Sequence, residues 1–150
     1  MTLFTSDKQW LDYLTRPTRF LLVEDEESVR TTFKNFASLF NCIVDEATTG
    51  KDGIEMFRNN LKATPYQAVF LDIRLPDING NEVFRNIKII EPEIPVVVVS
   101  GFVNEAILND IHGSGFAAFV RKPQDFNMNF FVQLFSMLGV KKLDSMPPKT

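Results

Sequence analysis

The run Val96-Val97-Val98-Val99 places four β-branched residues side by side. Such side chains are stiff at χ1 and pack better on a pleated strand than in a helix. No residue of the run is polar, so a strand built from it has no face to offer water. It must be covered on both sides, which is the situation of an inner strand in a parallel sheet. Two shorter apolar runs, Phe20 to Val23 and Ala68 to Leu71, have the same character, and Cys42 to Val44 and Ala117 to Arg121 complete a set of five expected strands.

Between these strands the apolar period changes from short runs to helical spacing. Val29, Phe33, Phe36 and Phe40 recur at i, i+4, i+7 and i+11, one face of a helix. Ile54, Phe57 and Leu61 follow Gly50 and Gly53. Val83, Phe84, Ile87 and Ile90 follow Asn79-Gly80. A shorter helix is expected from Glu105 to His112, and Asp125 to Leu138 carries Phe130, Phe131, Leu134, Phe135 and Leu138 as the last. Five strands alternating with five helices make an α/β fold, a doubly wound parallel sheet with helices on both faces.

The chain of 150 residues fits one such domain. Three segments are expected: an extension over 1–18, the domain over 19–138, and a mobile tail or linker over 139–150. Ser6-Asp7-Lys8-Gln9 has the form of a capping box, with Trp10, Leu11 and Leu14 at helical spacing behind it. The extension thus reads as a short helix, either packed on the domain or binding a partner.

A net charge of −3 and the lack of a Lys/Arg stripe interleaved with aromatics argue against a nucleic-acid surface. The amino terminus has no signal-peptide pattern, and the apolar stretches are too short to span a bilayer. A reducing, cytoplasmic setting without membrane association is the expectation. Cys42, the sole cysteine, reads as a small buried apolar residue. The sole histidine, His112, stands before Gly113 at an expected helix end, where it suits the dipole.

The chemistry lies where the apolar runs stop. Glu24-Asp25, Asp72, Ser100-Gly101 and Lys122-Pro123 each end a strand. In doubly wound sheets the carboxyl ends of the strands near the order switch form the ligand crevice. Each residue alone reads as an ordinary strand-end polar group or helix cap; together they make a site. Three carboxylates in one crevice need a counter-charge, and Mg²⁺, a hard cation preferring oxygen ligands, suits them. Lys122 adds positive charge, and Ser100 adds a hydroxyl. An electropositive pocket around one carboxylate fits phosphoryl transfer to it, with Asp72 as nucleophile.

Val23-Glu24-Asp25-Glu26, Leu71-Asp72-Ile73-Arg74-Leu75-Pro76-Asp77-Ile78-Asn79-Gly80, Val99-Ser100-Gly101 and Val120-Arg121-Lys122-Pro123 resemble, in order, the signature blocks of response-regulator receiver domains of two-component signalling. The resemblance covers roughly residues 19 to 138. It implies the flavodoxin-like fold with strand order 2-1-3-4-5 and a phosphoacceptor signalling domain rather than an enzyme, capable at most of Mg²⁺-dependent self-phosphorylation and autodephosphorylation. Asp72 matches the phosphoacceptor, supplied by a sensor histidine kinase or phosphotransfer protein. Glu24, Asp25 and Asp72 match the Mg²⁺ ligands, together with the backbone carbonyl of Arg74. Ser100 and Lys122 match the groups that contact the phosphoryl oxygens, and Ser100 and Phe119 match the switch pair. The switched surface is that of the fourth helix, fifth strand and fifth helix of the alternation, which serves a downstream protein target, a fused effector domain or a homodimer partner.

Three other readings stand beside it. An aspartate-nucleophile phosphatase of the haloacid dehalogenase type needs an acid two residues after the nucleophile, where this chain has Arg74. A flavin- or nucleotide-binding module needs a phosphate loop where this chain has four acids, Glu24 to Glu27. A pseudo-receiver, binding proteins without phosphorylation, has no use for all five polar residues.

Overall fold

The structure, a computed structural model, describes residues 6–115 and 117–146. The elements in chain order are α1 (Asp7–Thr15), β1 (Thr18–Val23), α2 (Glu27–Ala37), β2 (Cys42–Ala47), α3 (Gly50–Asn59), β3 (Ala68–Leu71), α4 (Gly80–Ile90), β4 (Val96–Ser100), α5 (Glu105–His112), β5 (Ala117–Arg121) and α6 (Met128–Met137). All strand pairs are parallel, in the order β2-β1-β3-β4-β5. The doubly wound sheet expected from the alternation is the one observed.

Side-chain alternation divides the inner strands between two cores. Phe20, Leu22, Phe70, Val97 and Val99 face α2 and α6, meeting Phe33, Phe36, Phe131 and Phe135. Leu21, Val23, Val69, Leu71, Val96 and Val98 face the other way, meeting Phe57, Val83, Phe84, Ile87, Ile107 and Ile111 of α3, α4 and α5. Every residue of β4 is buried, as its β-branched composition requires.

The first core is a phenylalanine layer. Phe33 and Phe70 meet at 4.7 Å between ring centroids, Phe20 and Phe135 at 5.3 Å, and Phe36 and Phe131 at 5.1 Å. Such ring pairs add about 1 kcal/mol each beyond the area they bury. The fully buried Phe131 touches several of these rings, so its truncation to Ala would cost about 3–5 kcal/mol.

Four of the helices that follow a strand begin at a side-chain cap. Thr49, Asn79, Asn104 and Asn127 accept from the backbone N–H groups of Asp52, Glu82, Ile107 and Phe130. The last of these corrects the expected start of the final helix at Asp125. Asn127 is the cap, and Asp125 instead accepts from the backbone N–H and guanidinium of Arg121.

Three other expectations are revised. Phe40 is not on the α2 face, because the helix ends at Ala37; it lies beyond, buried, against Phe135. The second strand runs to Ala47 rather than Val44, since Asp45 and Glu46 sit on a sheet edge where Arg19, Arg30 and Lys34 pair with them. Cys42 is half-buried rather than buried, and its thiol is pushed up to about 11 by desolvation.

The segment expected as a mobile tail has structure as far as Met146. Asn41 N–H donates to the Lys141 carbonyl at 2.8 Å and Leu143 N–H to the Leu39 carbonyl at 2.9 Å, around an antiparallel bridge between Phe40 and Lys142. A short 3₁₀ turn, Leu143–Ser145, follows. The leading extension fastens at the same place, with Asn41 Nδ2 donating to the Thr15 carbonyl at 2.6 Å. Ser6 Oγ accepts from Gln9 N–H at 3.2 Å, the capping contact expected there. The side chains of Trp10 and Leu14, on which the packing of the extension turns, lie outside the described residues, as do Pro147 to Thr150.

Candidate functional site

The carboxyl ends of β1, β3, β4 and β5 converge on a cavity of about 560 Å³ lined by Asp25, Asp72, Arg74, Ser100, Phe102 and Lys122 among others. The register produces this convergence. Val23 pairs with Leu71, Leu71 with Val98, and Ser100 with Arg121, so the residues that follow each strand arrive at one level. Asp72 N–H donates to the Val23 carbonyl at 3.0 Å and Lys122 N–H to the Ser100 carbonyl at 3.1 Å, extending the ladders by one residue into the site.

Asp72 and Ser100 are buried, Glu24 is buried behind them, and Asp25 is exposed. Glu24, Asp25 and Asp72 each present a carboxylate oxygen within 4.8 Å of the others. The Lys122 ammonium lies between two of them, donating to Glu24 Oε1 at 2.9 Å and to Asp72 Oδ2 at 3.5 Å. Glu24 Oε2 accepts from Glu26 N–H at 3.3 Å.

Burial dominates the electrostatics. Desolvation pushes the Glu24 carboxyl up from 4.5 to about 7, the hydrogen bond from Lys122 pulls against it, and the negative charge of Asp72 pushes it further up. Desolvation works to lower Lys122, but its bond to Glu24 and the charges of Asp72 and Glu24 outweigh burial and hold it protonated. One ammonium thus serves two buried carboxylates, with a third alongside. A donor set of three carboxylates, all oxygen and net negative, fits a hard divalent cation such as Mg²⁺.

The Ser100 hydroxyl accepts from Phe102 N–H at 3.2 Å. Phe119 is half-buried in β5, paired in register with Val98 and packed against the core that includes Ile107 and Ile111. Arg74 N–H reaches Asp72 Oδ1 at 3.4 Å, and its guanidinium turns over the ring of Phe102 at the cavity mouth. The predicted site residues that line or neighbour the pocket are thus brought together, with Phe119 set apart on the face of the sheet toward α5.

Several residues that sequence reasoning passed over support the site. Arg30 donates to the Glu24 carbonyl at 2.9 Å, fixing the acidic turn. Asp77 accepts from Gly50 N–H at 2.8 Å and Lys51 N–H at 2.9 Å, tying the loop after Asp72 to the start of α3. Asn81 and Asn104 exchange side-chain hydrogen bonds across α4 and α5. Gly80 closes the loop: a Cβ there would stand 2.5 Å from the Asp72 carbonyl oxygen and 2.4 Å from the Ile73 Cα. Only for Asp77 and Gly80 was there a local signal, in the Pro-Asp-Ile-Asn-Gly turn.

No helix among the described residues is long and apolar enough to cross a membrane. Among solved structures, the chain resembles a CheY-like response regulator receiver domain protein from Methanospirillum hungatei, with a TM-score of 0.68 and 20% identity over 82% of this chain and 94% of that one. It also resembles the phosphorylated cyanobacterial phytochrome response regulator RcpA, with a TM-score of 0.68 and 21% identity over 81% and 91%. These share the fold.

Among curated proteins, the cell cycle response regulator CtrA of Brucella ovis is 28% identical over 107 residues, 70% of this chain and 44% of that protein. Transcription factor SKN7 of Chaetomium thermophilum is 28% identical over 105 residues, 70% of this chain and 14% of that protein. The chain therefore spans less than half the length of these curated relatives. The family model of the response regulator receiver domain matches residues 20–129, which contain every strand-end residue described above. With a match that takes in most of its length, this chain belongs to the response regulator receiver domain family, the signalling domain of two-component regulators.

Proposed function

We propose that Asp72 accepts a phosphoryl group from a phosphohistidine on a sensor histidine kinase or phosphotransfer protein. The observation that carries this reading is the Lys122 ammonium lying between Glu24 and Asp72, with Ser100 in the same cavity. Asp72 is the nucleophile: one carboxylate oxygen bonds to phosphorus as the phosphorus–nitrogen bond to histidine breaks. Lys122 and Ser100 hold oxygens of the transferring group, one by charge and one by a hydrogen bond.

Glu24, Asp25, Asp72 and the backbone carbonyl of Arg74 would hold Mg²⁺, which when bound offsets the negative charge of the phosphoryl group and the carboxylates. Lys122 is shared between the pocket's acids, so charge arriving at Asp72 draws it from Glu24. Ser100 and Phe119 form the switch, and the surface of α5, β5 and α6 is the output. That surface serves a downstream protein target, a fused effector domain or a second copy of the chain, in the cytoplasm and away from nucleic acid. Catalysis is confined to Asp72's own phosphorylation and dephosphorylation. Arg74 occupies the position where an aspartate-nucleophile phosphatase would need its acid.

Intact-mass analysis after incubation with phosphoramidate, with and without Mg²⁺, tests this. One Mg²⁺-dependent, hydroxylamine-labile adduct is expected, and none in Asp72→Asn. A folded protein that binds Mg²⁺ yet takes no adduct would instead be a pseudo-receiver, working by protein contact alone.

A further inference from the structure

Asn81 is buried, only 7% exposed, in the first turn of α4, beside the buried Gly80 and close to the apolar Val83 and Phe84. An amide in such a place costs about 1–3 kcal/mol unless its polar atoms are met. They are met by Asn104, the residue that caps α5. Asn81 Nδ2 donates to Asn104 Oδ1 and Asn104 Nδ2 donates to Asn81 Oδ1, both at 3.3 Å. Asn104 Oδ1 also accepts from Ile107 N–H at 2.7 Å, so the same atom makes the cap.

The location gives this pair its meaning. Gly80, the neighbour of Asn81, packs on the backbone of Asp72 and donates to the Ile73 carbonyl at 2.7 Å. Asn104 stands four residues beyond Ser100, whose hydroxyl holds the intervening loop through Phe102 N–H. The chain leaving the acceptor and the chain leaving the hydroxyl are therefore joined again, side chain to side chain, at the entrance to α5.

We propose that the Asn81–Asn104 amide pair is a latch that holds the first turn of α5 on the acceptor loop, and that phosphorylation acts on α5 by opening it. The latch rests on the phosphoacceptor reading for its trigger but not for its existence. While it is closed, any adjustment between Ser100 and α5 is confined to Gly101, Phe102 and Val103, and Phe102 is itself held by its N–H bond to Ser100. When it opens, α5 is released from α4 at this end and the surface it shares with β5 changes.

The test is hydrogen exchange of the α5 amides in the full chain at pH 8, with and without phosphoramidate and Mg²⁺. The decisive variant is N81D/N104D. An aspartate is welcome in the first turn of α4, and an aspartate in place of Asn104 remains a good cap for α5. Two carboxylates facing each other, however, have no donor between them. The expected result is exchange in α5 faster by about tenfold, with α2 and α6 unchanged, and little further increase on phosphorylation. Should the double variant not fold, Asn81→Ala serves, with an increase in α5 of about threefold.

Unchanged exchange in α5 would overturn the latch. So would a rise shared equally by α2 and α6, which marks general loss of stability, or a phosphorylation response as large in the variant as in the wild type. The adduct on wild-type Asp72, read by mass in the same samples, reports separately on the phosphoacceptor reading.

Discussion

The guanidinium carbon of Arg74 stands 4.1 Å from the centroid of the Phe102 ring, over the mouth of the cavity that holds Asp72. The two residues come from the loops that follow β3 and β4, so their contact spans the entrance. A cation–π contact at an exposed site is worth about 1 kcal/mol, equivalent to roughly fivefold in the population of the closed entrance. We expect Arg74→Ala and Phe102→Ala each to shorten the half-life of the phosphorylated protein by about that factor, and the double variant to add little. Loss of adduct after removal of the phosphodonor measures it; equal half-lives in all four proteins would reject a protective role for this contact.

Glu24 makes stability depend on pH in an unusual direction. Its carboxyl is raised from 4.5 to about 7, so folding favours the protonated form. Its contribution is complete below about pH 4.5 and is lost as pH rises through 7. Asp77 and Asp125, both lowered, keep their contributions throughout that range, and Lys122, raised, keeps its own. Between pH 5 and pH 8 without Mg²⁺, the wild type should lose a few degrees of Tm relative to Glu24→Gln, about 5 °C at most. Mg²⁺ should restore much of it. Parallel Tm curves for the two proteins would contradict this account.

Asp77 holds the loop after Asp72 to α3. Burial is the largest single influence and works to raise its carboxyl, but the N–H groups of Lys51, Gly50, Ile78 and Asp77 together more than compensate and hold it low. Asp77→Ala leaves both donors to water and should cost about 1 kcal/mol, in the manner of a lost helix cap. Asp77→Asn, keeping one acceptor, should fall between. Urea denaturation of the three proteins orders them.

The end of the chain contributes to the fold on its own account. Truncation after Val140 removes the hydrogen bonds that Lys141 and Leu143 make with Asn41 and Leu39. A loss of about 1 kcal/mol is expected from two backbone bonds at the surface. Phosphorylation of Asp72, at the opposite end of the strands, should proceed at the wild-type rate. Denaturation midpoints and adduct formation, measured together, separate the two effects.

The placement of Glu24, Asp72, Ser100 and Lys122 could be read before any coordinate because each ends an apolar run, and parallel strands bring such ends to one level. The β-branched run over Val96 to Val99 likewise announced an inner strand. What escaped is non-local pairing of polar side chains. Nothing in the residues around Asn81 points to Asn104, or around Asp77 to Gly50, since partners more than twenty residues apart meet only through the topology. Phe40 misled for a related reason: it keeps the helical period of α2 by count, while the helix itself stops at Ala37. The folded end of the chain escaped because its bonds are backbone bonds, which no side-chain pattern records.

The phenylalanine layer between the sheet and the helices α2 and α6 divides the optical signals of this protein. Among the described side chains it contains no tryptophan, and the one tryptophan in the sequence, Trp10, belongs to α1. Tryptophan emission therefore reports on the leading helix, whereas the sharp near-ultraviolet dichroism of phenylalanine reports on the packed interior. Followed together through one denaturation, the two signals are independent witnesses: coincident curves mean that α1 unfolds with the domain, and separated curves mean that it lets go first.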